Sequence, residues 1–109
     1  LNNWYPREVL DDEKYAEKYV DVLAARARQA FFEFMPIRLV ERDPSRIYRK
    51  YALGPLVEVF VIDERSYRGA NSPNRQETLD GASAMLGTPQ LEWLKESLKA
   101  SGAVWKIIA

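Results

Sequence analysis

The spacing of apolar and polar positions divides the chain into a helical first third and a strand-bearing remainder. Between Asp12 and Phe34, Tyr15, Tyr19, Val22, Leu23, Ala30, Phe31 and Phe34 recur at three- and four-residue intervals, with charged residues filling the other side. That period puts the apolar members on one face of an amphipathic helix. Asp11 and Asp12 stand just before it as N-cap carboxylates, which the positive end of the helix dipole favours. Pro36 ends the pattern, because its ring blocks continuation and biases Met35 toward extended geometry. The spacing therefore predicts a helix over Asp12–Phe34.

Strand signals follow the polar turn Glu41–Ser45. Arg46–Leu53 holds Ile47, Tyr48 and Tyr51; Leu56–Ile62 is apolar except for Glu58; Gly54-Pro55 lies between them as a turn dipeptide. Two such runs around a short turn predict an antiparallel hairpin, with the second strand apolar enough to be buried on both faces. Asp63–Leu86 is a long connection rich in Arg, Asn, Ser, Gly and Pro, and loops of that length are usually functional or mobile. Thr88 then reads as an N-cap and Pro89 as the first helical residue, with Leu91, Leu94 and Leu98 as an apolar stripe and Gly102 as the C′ stop. Val104–Ile108 is a closing strand. A capped amphipathic helix between two apolar strands is what a parallel crossover requires, so Leu56–Ile62 and Val104–Ile108 are expected side by side and parallel, with helix Pro89–Ser101 covering them. The fold class is α/β: helix, β-hairpin, long loop, helix and strand in a mixed sheet.

Composition narrows the chemistry. The 109 residues suit one domain or part of one. Sixteen basic and sixteen acidic residues are scattered, so neither nucleic acid nor a membrane is an expected partner. There is no cysteine and no histidine, which excludes disulfides, thiolate nucleophiles and imidazole bases or ligands. Chemistry done by this chain would rest on carboxylates, Lys, Tyr, Ser or a cation held by oxygens. The start at Leu1 without Met, and the apolar end at Ala109, lead to the expectation of a segment from a longer chain.

Four phrases in one order carry a resemblance. They are Asn2-Asn3-Trp4-Tyr5-Pro6; Ala24–Arg38; Ile47–Lys50 with Leu56–Arg68; and Leu86–Leu94 running on to Ala103–Ile108. Together they resemble the PhoD-like metallophosphatase (alkaline phosphatase D) family over nearly the whole chain. The resemblance implies a metallo-dependent phosphatase-like sandwich, two β-sheets packed between helices. It implies an exported phosphomonoesterase and phosphodiesterase in which calcium and iron activate a water that attacks phosphorus. The family's Asp-rich and Asp-Asp-His-Glu motifs would lie upstream of Leu1, and its closing His-containing motif beyond Ala109. Residues 1–109 are then an incomplete part of a single catalytic domain, inactive alone, with the remainder of that domain and a phosphate ester as partners.

The resemblance singles out two residues, and position along the elements singles out others. Asn2 and Asn3 follow the family's metal motif, and a carboxamide oxygen can ligate a hard cation; turn formation beside Trp4 is the plainer role. Arg65 and Arg68 follow the strongest strand, at the end where α/β sheets bind ligands, and a guanidinium fork suits phosphate oxygens. The plainer role for each is an Arg–Asp pair pinning the loop. Arg26 and Arg28 are expected to snorkel or pair, and Trp93 and Trp105 to pack in the core. The alternative to a hydrolase segment is a non-catalytic α/β binding or interaction module, which would explain the missing His and Cys without further sequence.

Overall fold

The computed structural model describes residues 1–109. Its elements are α1 (Val20–Phe34), β1 (Arg49–Leu53), β2 (Val57–Val61), a 3-10 turn (Gly81–Ser83), α2 (Thr88–Ala100) and β3 (Trp105–Ile108). The strands form one mixed sheet in the order β1-β2-β3. β1 and β2 pair antiparallel, with Leu53 opposite Val57 across a turn led by Gly54 at φ +66°. β2 and β3 pair parallel, Val57 opposite Trp105 and Phe60 opposite Ile108. The expected hairpin and parallel crossover are both present.

α2 runs back along β2. At its first turn Gln90 bonds Asp63, just beyond the end of β2, and after its last turn Ser101 lies beside Glu58 near the start of that strand. Thirteen helical residues span about 20 Å, close to the length of an extended segment from Val57 to Asp63. Gln90 and Leu94 are buried and Leu98 is half-buried, whereas Leu91 is exposed, so the inward stripe does not run through Leu91. Phe60, fully buried on the central strand, is the centre of the core with Tyr48, Leu94 and Ala103. Tyr48 also stacks edge-on with Tyr67 at 5.3 Å and lies 4.9 Å from Trp93, joining the loop after β2 to α2.

Several expectations fail for local reasons. The first helix starts at Val20, not Asp12. Asp12 spends its carboxylate on the Lys14 N–H at 3.0 Å, and its carbonyl accepts from Lys18 Nζ at 2.7 Å. Val9 and Tyr19 form an antiparallel bridge, and Val20 N–H donates to the Glu8 carbonyl. Side-chain-to-backbone bonds and this bridge compete with helix formation over residues 11–19. Thr88 is inside α2; the cap position is Gly87 and makes no side-chain cap bond. Gly102 is not left-handed, because the helix leaves through an extended Ser101. Trp105 is 67% exposed on the outer strand β3, not a core residue.

The apolar surface left open is large. Accessible area is 8318 Å², against about 6,200 Å² for a folded monomer of this mass. The radius of gyration of 16.3 Å exceeds the roughly 13 Å of a self-contained domain of this length. Phe34, Val104, Trp105, Ile107 and Ile108 all stay exposed, and β3 presents an uncovered edge. Those are surfaces that a larger core would cover.

Candidate anion-binding groove

The chain leaves β2 at Ile62 and turns sharply at Asp63. Asp63 is buried, and its Oδ1 accepts from the backbone N–H groups of Arg65 and Ser66, both at 2.9 Å. Gln90 holds the same residue from α2. Its Oε1 accepts from Asp63 N–H at 2.6 Å, and its Nε2 donates to the Asp63 and Leu86 carbonyls at 2.8 and 2.9 Å. One buried amide thus satisfies both backbone groups of Asp63, which burial would otherwise leave costly. The loop is gripped again at Tyr67, which packs against Gly87, and at Gly69, whose N–H donates to Ala84 O at 2.7 Å. Burial raises the Tyr67 phenol above its ordinary pKa, with the Asp43 carboxylate adding to the effect.

The outer side of this loop forms a groove of about 650 Å³ with Asn3, Glu64, Arg65, Arg68, Asn71 and Ser83 among its lining residues. Arg65 donates from Nη1 and Nη2 to Asn3 Oδ1 at 3.5 and 3.4 Å, across 62 residues of sequence. Arg68 Nη2 donates to Asn71 Oδ1 at 2.8 Å, and Asn71 Nδ2 returns a bond to the Asn3 carbonyl at 2.9 Å. Asn3 stands at φ +53°, a left-handed conformation that Asn tolerates better than most residues. On the far wall Asp80 and Ser83 form a reciprocal capping box around the 3-10 turn.

Two arginines, Arg65 and Arg68, outnumber the one carboxylate that lines the groove, Glu64. All three ion pairs of the protein are Lys–Glu pairs, so both groove arginines are held by neutral amides. Each guanidinium has five N–H donors; Arg65 places two on one oxygen at the limit of bonding distance, and Arg68 is hydrogen-bonded through Nη2 alone. Unused donors carrying full positive charge suit an anion with several acceptor oxygens. Of the residues singled out in the sequence, Asn3, Arg65 and Arg68 come together here, while Asn2 does not line the groove. The Arg–Asp pair of the plainer reading does not form; Asp63 pins the loop through the backbone N–H groups of Arg65 and Ser66. Arg28 instead reaches Ser66 Oγ at 3.3 Å from α1. Gln90 and Asn71 were not singled out; the one available signal is that Gln90 sits four residues before Leu94 on the stripe.

These residues do not form a cation site by themselves. No group of three or more acidic side chains converges anywhere in the chain, and the Asn3 carboxamide oxygen points at a guanidinium, a poor neighbour for calcium or iron. The donors present fit an anion.

The chain is thus a small α/β unit with an arginine-lined groove at the end of its central strand. The profile of the PhoD-like phosphatase family matches residues 1–109, and the chain belongs to that family. It is similar to alkaline phosphatase D of Bacillus subtilis (strain 168), with 30% identity covering all of this chain and 20% of that protein. It is also similar to the solved structure of PhoD, at a TM-score of 0.70 and 29% identity, covering 98% of this chain and 22% of that one. The chain thus spans about a fifth of the length of these relatives.

Proposed function

We propose that residues 1–109 supply the phosphate-binding groove of a larger metal-dependent phosphoric ester hydrolase, acting on phosphate mono- or diesters. The observation that carries this reading is the pair Arg65 and Arg68, two guanidiniums in one polar groove with neutral partners and unused donors. Their role is to bind and orient the phosphoryl oxygens and to offset charge that builds on them during attack. The calcium and iron that the family resemblance implies have no cradle in these residues, so water activation is assigned to the rest of the catalytic domain. The exposed faces of β3 and α1 are where that remainder would pack. Export from the cytoplasm belongs to the same reading, and fractionation of cells expressing the full-length protein tests it.

Two measurements test the function. In the full-length protein, Arg65→Ala and Arg68→Ala should each raise KM for p-nitrophenyl phosphate and weaken inhibition by inorganic phosphate, roughly tenfold to a hundredfold for loss of a charge-assisted contact. Unchanged KM and phosphate inhibition in both variants would remove the groove from the reaction. The isolated 109-residue chain should hydrolyse no phosphate ester with calcium, iron or zinc added; metal-dependent turnover by purified chain would overturn the division of labour.

A further inference from the structure

We infer that Gln90 and Asp63 are positioning residues for the groove arginines, an inference that rests on the phosphate-binding reading above. Neither side chain lines the groove. Both determine where its arginines stand. Gln90 is completely buried and makes three hydrogen bonds, two of them to the N–H and C=O of Asp63. An amide closing on both backbone groups of one residue reproduces a step of β-ladder pairing. It therefore extends the order of β2 by two residues, to the point where the loop must turn. The Asp63 carboxylate then sets that turn. Its Oδ1 is shared between the N–H groups of Arg65 and Ser66, while its Oδ2 is buried without a partner.

The asymmetry of the carboxylate is the informative feature. Only one of its oxygens has hydrogen-bonded partners, and both are backbone N–H groups, not guanidiniums or hydroxyls. What the site uses is an acceptor at the Oδ1 position, not a negative charge. A neutral amide could therefore do the same work, and a methyl group could not. The path from α2 to the anion is short: Gln90 holds Asp63, Asp63 holds the Arg65 N–H, and the Arg65 guanidinium meets Asn3 at the groove. A shift of about 1 Å at Arg65 is enough to lower productive binding by one to two orders of magnitude.

The test uses the full-length hydrolase, with p-nitrophenyl phosphate as substrate and inorganic phosphate as inhibitor. Asp63→Ala and Gln90→Leu should raise KM and the inhibition constant for phosphate at least about tenfold, with a much smaller change in kcat. Asp63→Asn should restore both constants to within about threefold of the parent, because its Oδ1 still accepts from Arg65 and Ser66. If Gln90→Leu does not fold, the Asp63→Ala and Asp63→Asn pair decides alone. Asp63→Asn behaving like Asp63→Ala would overturn the inference, since the charge would then be what matters. Tight phosphate binding in folded Asp63→Ala, alongside weakened binding in Arg65→Ala, would overturn the positioning role and leave the groove standing. Tight phosphate binding in Arg65→Ala itself would overturn both.

Discussion

Gly87 joins the arginine loop to α2, and a single methyl group there should be costly. Its backbone is at φ +69° and ψ 154°, a region that residues with a Cβ rarely occupy. A Cβ at that position would lie 2.6 Å from the Tyr67 carbonyl oxygen and 2.9 Å from the Tyr67 Cβ. The first of these is backbone, so no rotamer change relieves it. Strain of about 1–3 kcal/mol from the dihedral region adds to a clash of similar size, and Gly87→Ala should lose at least about 2 kcal/mol. That is roughly thirtyfold in the folding equilibrium. Gly102→Ala is the internal control: it meets no atom within 4 Å and lies outside the left-handed region. It should be neutral or stabilise by up to about 1 kcal/mol through the unfolded chain. Urea denaturation followed by far-UV circular dichroism measures both against the parent. Equal midpoints for the two variants would refute the argument from backbone geometry. A loss in Gly87→Ala accompanied by unchanged Tyr67 fluorescence would refute its location.

Other outcomes follow from the same coordinates. Phe60→Ala, at the fully buried centre of β2, should destabilise by about 3–5 kcal/mol in thermal or urea unfolding, whereas the same change at exposed Phe34 should cost under about 1 kcal/mol. Thr88→Ala should shift stability by no more than about 0.5 kcal/mol, because Thr88 lies within α2 and caps nothing; a loss near 1 kcal/mol would restore it as the N-cap. The Glu58 carboxyl is held below its ordinary value by Ser101 first and Lys50 second, of which Lys50, at 3.2 Å, makes the contact with full hydrogen-bond geometry. A depressed carboxylate pKa contributes stability above the unfolded pKa and loses it as pH falls through the folded one, so this contribution should fade on the acid side of the ordinary Glu value of 4.5. Carbon-detected NMR titration should place the Glu58 midpoint below 4.5, and Ser101→Ala should move it upward; a midpoint unmoved in both proteins would contradict the contact.

Much of the topology was legible in the sequence, because it depends on signals that are local and strong. The apolar run Leu56–Ile62 reads as a central strand, and β2 is one. Pro89, the leucines after it and the apolar run from Val104 make a helix and strand that can join β2 only by a crossover, and β3 is parallel to β2. The four phrases that resemble the PhoD-like family span nearly the whole chain, and the family profile matches residues 1–109. Tertiary structure decided what depends on competition or distance. Asp12 read as a helix N-cap, but its carboxylate accepts from the Lys14 N–H in a turn, and the Val9–Tyr19 bridge holds the chain out of the helix up to Val20. Spacing placed Leu91 on the stripe, but packing buries Gln90 and leaves Leu91 exposed. Trp105 is apolar enough for a core and still lies on an outer strand, since hydrophobicity records what a residue prefers and not what covers it. Asn3 and Arg65 are 62 residues apart, and nothing local to either requires them to meet. Their meeting follows from the Asp63 turn, held by Gln90, which aims the arginine back toward the start of the chain.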